Sequence, residues 1–110
     1  MDAVVVKVGG SLALQPEALR SVCIELGELS HRQRLIIVPG GGEFADTVRT
    51  LDKRFNLSPK AAHQIAVLSM DQYGLLLAEL TPNSRVISEL DRVQETLDSG
   101  CLPVFLPSVF

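Results

Sequence analysis

At 110 residues, 46% of them hydrophobic and 21% charged, the chain is long enough for one domain with a buried core and too apolar to stay disordered. Its formal net charge of −3 denies it the basic footprint of a nucleic-acid binder, and it has no apolar run of about 18 residues that would span a membrane. Four phenylalanines, one tyrosine and no tryptophan leave little for a nucleobase-stacking platform. Cys23 and Cys101 stand far apart without metal-type spacing, and are expected as reduced core residues. Met1-Asp2 leads directly into a strand-like run with no basic region or cleavage site, so no signal peptide is read and a cytoplasmic protein is expected.

In chain order, AVVVKV (3–8) is a β-branched run closed by Gly9-Gly10, and predicts a buried strand. PEALRSVCIELGELSHR (16–32) opens on a proline suited to a first helical turn. Leu19, Val22, Cys23, Leu26 and Leu29 then recur at three- and four-residue steps, one apolar helix face. RLIIVP (34–39) is a second buried strand, followed by the loop Gly40 to Gly42. EFADTVRTLDKRF (43–55) predicts a helix whose inward stripe is Phe44, Val48, Leu51 and Phe55. Ser58-Pro59 is an N-cap with proline in the first turn, and opens a long helix that ends before Pro82-Asn83. RVIS (85–88) is a strand, ELDRVQETLDS (89–99) an amphipathic helix stopped by Gly100, and CLPVFLPSVF (101–110) a final strand.

Alternating strands and helices imply a mainly parallel sheet covered by helices on both faces, a three-layer α/β/α sandwich. No linker divides the chain, so a single domain over 1–110 is expected. Pro107 to Phe110 is apolar with no helix after it, which makes the unit look interrupted.

Both glycine clusters fall between the carboxyl end of a strand and the next helix, where open α/β sheets bind ligands. Glycine lets backbone approach a ligand closely, and amides at a helix N-terminus favour an anion. One such pair is often a plain turn; two, each after a buried strand, point to a phosphate or other anion site. Neither cluster is a common motif: no lysine follows Gly42 as a P-loop requires, and GxGxxG is absent. Lys7 instead lies within the first strand, two residues before Gly9, and alternation turns it away from Val6 and Val8. It either lies along the surface at a strand end or places a cation where transferring phosphoryl oxygens gather charge. Its junction with the glycine loop favours the second.

VVVKVGGSL and IIVPGGGEFAD resemble the two N-terminal signatures of the amino acid kinase superfamily. The fuller run VPGGGEFADTVR, with AAHQIAVLSMDQYGLLLAEL after it, is similar to the branch that phosphorylates aminomethyl-furanyl-methyl phosphate to its diphosphate in methanofuran biosynthesis. The likeness covers essentially the whole chain and only the first, acceptor-binding half of such an enzyme. It implies an ATP-dependent kinase acting on a small phosphate- or carboxylate-bearing acceptor, with Mg2+ supporting the nucleotide. Lys7 would stabilise the transferred phosphoryl group. The amides of Gly9, Gly10 and Ser11 would hold the nucleotide's terminal phosphates, and Gly40, Gly41 and Gly42 would line the acceptor side. The base pocket and remaining catalytic groups would lie in a C-terminal half, here or on a separate segment, so the chain alone is expected to be inactive. No metal ligand is assigned within it.

Glu43, Asp46 and Arg49 share the first turns of the helix after the second loop, with Glu43 and Asp46 an i, i+3 pair. Carboxylates there also suit the helix dipole alone. For an acceptor with an ammonium and a phosphate, Asp46 or Glu43 would take the amine and Arg49 the phosphate. His63 is expected as a packing or surface group. Asp71, Gln72 and Tyr73 interrupt an otherwise apolar helix and reach either the substrate or a subunit neighbour. That helix is apolar all round, with Ile65, Leu68, Leu75, Leu76 and Leu77 facing different ways; the resemblance implies a homodimer that covers its outer side. The competing readings are another acceptor within the superfamily and a non-catalytic anion-binding or assembly module.

Overall fold

A computed structural model describes residues 2–109. Its four strands are β1 (Val4–Val8), β2 (Leu35–Pro39), β3 (Ser84–Ile87) and β4 (Leu102–Phe105). All pair in parallel, in the order β1-β2-β4-β3. The helices are α1 (Pro16–Leu29), α2 (Gly42–Phe55), α3 (Pro59–Leu80) and α4 (Arg92–Asp98), with 3₁₀ turns at Gly10–Leu14 and Pro107–Val109.

The path of the chain decides which face each helix covers. Going from β1 to β2, and from β2 to β3, the chain moves across the sheet in one sense; from β3 to β4 it moves back. Right-handed crossovers then put α1 and α3 on one face and α4 on the other. Burial agrees: Val8, Leu35, Ile37, Leu102 and Val104 form one core with Leu19 and Cys23 of α1 and Tyr73 and Leu77 of α3. Ile37 and Val104 are paired in register, and Val104 pairs onward with Val86. On the opposite face, α4 packs over β3 and β4 and buries Thr96 and Leu97. The result is the three-layer α/β/α arrangement with a parallel sheet.

Local chemistry sets the helix ends. The Ser58 hydroxyl accepts from the Ala61 amide at 3.1 Å, with Pro59 in the first turn of α3. Asn56 takes the left-handed conformation, φ 50°, that closes α2. On α3 the buried stripe is Ser69, Tyr73, Gly74 and Leu77, residues one helical turn apart.

Five expectations are corrected. β1 is not fully buried: Val4 is 49% and Val5 62% exposed, because β1 is an edge strand and α4 does not reach across to it. Phe55 is 63% exposed, since it lies in the last turn of α2, beside the bend into α3. The final strand stops at Phe105 rather than running to the end. Pro107 has no amide to continue a ladder, and the Asp71 carboxylate takes the Ser108 amide at 3.0 Å, turning the chain into 3₁₀ form; Phe110 and Met1 lie outside the described residues. Cys23 is buried, but Cys101 only half so, and neither is in a disulfide. The strand expected at 85–88 lies one residue earlier.

Asn83 staples the amino-terminal end of the sheet. At φ 64°, its amide nitrogen donates to Ser30 Oγ at 3.0 Å and to the Gly100 carbonyl at 2.8 Å. Its own carbonyl accepts from the Leu102 amide at 2.8 Å. Asn83→Ala removes both side-chain bonds and places a less tolerant residue in the left-handed region, for an expected loss of about 1–3 kcal/mol in urea unfolding. Asn83→Gly keeps the backbone conformation and should lose less.

Candidate functional site

The site begins with two adjacent strands ending side by side. Lys7 pairs with Val38 and Val8 with Pro39, so β1 and β2 release their loops at the same level. The ladder then extends one step further, the Gly40 amide donating to the Val8 carbonyl at 2.9 Å.

Beyond that bond the two loops meet backbone to backbone. A methyl group built on Gly10 would lie 2.0 Å from the Gly42 nitrogen and 2.1 Å from its Cα. One built on Gly42 would lie 2.3 Å from the Gly10 carbonyl oxygen, and Gly42 has φ +58°. Both positions therefore require glycine, Gly10 for space and Gly42 for space and conformation. Gly40 is also pressed close, with Gly10 N 3.1 Å from where its Cβ would stand. Gly9, Gly10, Gly40, Gly41 and Gly42 thus form one surface rather than two loops facing across a gap.

Two element starts meet on that surface. Gly10 opens a 3₁₀ turn and Gly42 opens the 14-residue helix α2, and neither start carries a side-chain cap. The first amides of a helix have no partners within it, and the aligned peptide dipoles add partial positive charge there. In α3, by contrast, Ser58 fills that role. An uncapped start beside a glycine turn suits an anion such as phosphate.

Lys7 stands on the strand face opposite Val8, the side of the sheet away from α1 and α3, and is exposed. Ser11 is exposed on the 3₁₀ turn. Glu43, in the first turn of α2, is exposed and carries no ion pair among the described residues. Asp46 and Arg49 are paired with each other on the exposed surface of α2. His63 is exposed.

The residue that sequence reasoning misplaced is Tyr73. It reaches neither solvent nor a subunit neighbour: it is 0% exposed, and its hydroxyl donates to the Gly9 carbonyl at 2.8 Å. Its ring meets Phe44 of α2, centroids 5.9 Å apart and planes at 33°. The available signal was periodicity, since Tyr73 lies four residues from both Ser69 and Leu77 on one stripe. Asp71 turns instead to Ser108, and Gln72 is exposed.

Burial, and then the neighbouring Cys23, raise the Tyr73 hydroxyl above the usual tyrosine value. The unfolded chain ionises this group near pH 10 and the folded chain at higher pH. Its contribution to stability is therefore complete below about pH 10 and is lost as pH rises through the folded value. As it is the chain's single tyrosine, its near-ultraviolet titration in the folded chain should be delayed relative to the urea-unfolded chain. Tyr73→Phe should remove that portion of the alkaline loss; identical alkaline slopes would contradict the assignment.

Comparison with known proteins adds to this geometry. The model of the amino acid kinase family matches residues 2–106. A protein of Methanocaldococcus jannaschii named (5-(aminomethyl)furan-3-yl)methyl phosphate kinase is 37% identical over 104 residues, covering 94% of this chain and 47% of that protein. The crystal structure of uridylate kinase from Archaeoglobus fulgidus superposes with a TM-score of 0.80 at 19% identity, covering 96% of this chain and 50% of that one, a likeness of fold. The chain spans about half the length of each. By a family match over nearly its whole length, on a parallel α/β/α sandwich, the chain belongs to the amino acid kinase family.

Proposed function

We propose that the protein is an ATP-dependent kinase for a small phosphate- or carboxylate-bearing acceptor, and that this chain is its acceptor-binding half. The observation that carries the reading is the fused glycine surface at the ends of β1 and β2, with an uncapped helix start on it and Lys7 on the strand that leads to it. Aminomethyl-furanyl-methyl phosphate is the acceptor that the named relative supports.

Phosphoryl transfer asks little covalent chemistry of a protein; it asks for positioning and for charge stabilisation. The amides of Gly9, Gly10 and Ser11 bind and orient the nucleotide's terminal phosphates. Lys7 opposes charge that develops on the transferring oxygens. Gly40, Gly41 and Gly42 bring the start of α2 to the acceptor. Glu43 is the carboxylate for an acceptor amine, being the one of Glu43, Asp46 and Arg49 without an ion pair among the described residues. Asp46 and Arg49 contribute once a ligand separates their pair, each exchanging a surface partner for one on the ligand. Magnesium supplies charge neutralisation when bound. No group of three or more His, Cys, Asp and Glu side chains among the described residues suits a metal ion; the nucleotide's phosphate oxygens would be donors of the kind magnesium takes.

The outer side of α3 presents Ile65, Leu68 and Leu75, which are 36%, 57% and 52% exposed. A second copy packed there accounts for a helix that is apolar on both sides. Light scattering of the complete protein should give a dimer, and Leu68→Glu should give a monomer; a wild-type monomer would exclude the assembly.

The kinase reading is tested with the complete protein and a panel of acceptors that carry a phosphate, a carboxylate, or a phosphate with an amine. Lys7→Ala should lower kcat by about 10²–10³ with acceptor KM little changed. Glu43→Gln should raise KM for the amine-bearing acceptor alone. A Lys7→Ala protein with wild-type kcat would remove the lysine from the reaction, and ATP turnover with none of the acceptors would refute the reading.

A further inference from the structure

The Tyr73 hydroxyl bond to Gly9 is a long-range contact, 64 residues apart in sequence, made to the backbone of the first glycine loop itself. A peptide unit is planar and trans, so its carbonyl and the following amide point in opposite directions. Fixing the Gly9 carbonyl therefore fixes the Gly10 N–H, one of the amides assigned to phosphate. A Gly-Gly peptide has no side chain on either side to resist rotation of that plane. Rotated by half a turn, it would offer an anion a carbonyl oxygen in place of an N–H.

The rest of Tyr73's setting suits it to hold this plane. It is fully buried in the core with Cys23, Leu77 and Val8. Its ring bears on Phe44, in the first turn of α2, so one side chain touches both loops: the first by its hydroxyl, the second through the helix it begins. The next residue, Gly74, brings α3 close to the ends of β4 and β2, where an added Cβ would be 3.2 Å from the Phe105 carbonyl oxygen and 3.4 Å from Pro39. The hydroxyl is thus borne on a helix seated tightly on the sheet. The Leu12 amide also reaches the Gly9 carbonyl, at the longer distance of 3.3 Å, so Tyr73 provides the shorter of the two restraints.

We infer that Tyr73 is a positioning residue of the phosphate surface: its hydroxyl holds the Gly9–Gly10 peptide with the carbonyl turned to α3, and so sets the opposite direction of the Gly10 N–H. The inference rests on reading the first loop as phosphate-binding. It assigns Tyr73 to the nucleotide side of the reaction and leaves the acceptor side to α2.

The test uses the complete protein with and without Tyr73→Phe, which keeps the ring, the Phe44 contact and the core volume. The readouts are hydrogen exchange at the Gly10 amide and the Tyr73 hydroxyl, the separate KM values for nucleotide and acceptor, and the unfolding temperature. In the unmodified protein the Tyr73 hydroxyl proton should exchange slowly and show a cross-peak to the Gly9–Gly10 backbone. In Tyr73→Phe the Gly10 amide should exchange faster and nucleotide KM should rise about fivefold, the scale of one net hydrogen bond, with acceptor KM within twofold. Unchanged exchange and unchanged nucleotide KM would overturn the lock while leaving the kinase reading in place. Faster exchange with unchanged nucleotide KM would overturn the phosphate role of the first loop, and the inference with it. A parallel rise in both KM values with a lowered unfolding temperature would reduce Tyr73 to a core residue and overturn the positioning role.

Discussion

Everything that makes this surface usable depends on Gly10 and Gly42 touching without side chains between them. Two parallel strands normally deliver two separate loops, each free to move over the edge of the sheet. Here the loops are in backbone contact, and any side chain at either position would force them apart by the width of a methyl group. The contact converts two flexible segments into one platform whose amides keep a fixed relation. For an anion with several oxygens that relation is the useful property, because binding then costs little further ordering.

The sheet and α3 supply the remaining constraint from beneath. Register between β1 and β2 sets both loops at one level, and the Val8–Gly40 bond carries that register into the turn. Alternation places Val8 in the core and Lys7 exposed on the other face, so the residue that anchors the strand and the cation proposed for the reaction are neighbours in sequence. Val5 on β1 and Leu68 and Leu75 on α3, among the apolar residues left exposed, lie on an edge strand and an outer helix face.

Much of this was legible in the residues. The alternation of β-branched runs and periodic apolar stripes specified a parallel α/β sandwich, and Ser58-Pro59 marked the start of α3. The glycine clusters and the alternation around Lys7 pointed to the candidate site, and the structure sets the two clusters against each other at the ends of β1 and β2. Three features were not legible, for different reasons. The exposure of Val5 follows from which face α4 covers, and an apolar run cannot carry that information. The end of β4 depends on a capture of the Ser108 amide by Asp71, from a helix far back in the chain. Tyr73 looked like part of a polar break because Asp71 and Gln72 precede it; its burial becomes visible only when the stripe of Ser69, Tyr73 and Leu77 is laid against the sheet. The Asp46–Arg49 pair was readable as an i, i+3 spacing, but two charged residues at that distance satisfy each other before they recruit a ligand.

The central claim is that nucleotide phosphates sit on the first glycine loop and the acceptor on the second, which touches it. Its most direct measurement is a titration of the complete protein with ATP and magnesium and then with the acceptor, followed at the backbone amides of Gly9, Gly10, Ser11, Gly41, Gly42 and Glu43. The account predicts that nucleotide moves the resonances of Gly9, Gly10 and Ser11 most, and that acceptor then moves those of Gly41, Gly42 and Glu43. A nucleotide that leaves the first loop unmoved, or an acceptor that leaves the second unmoved, would contradict it.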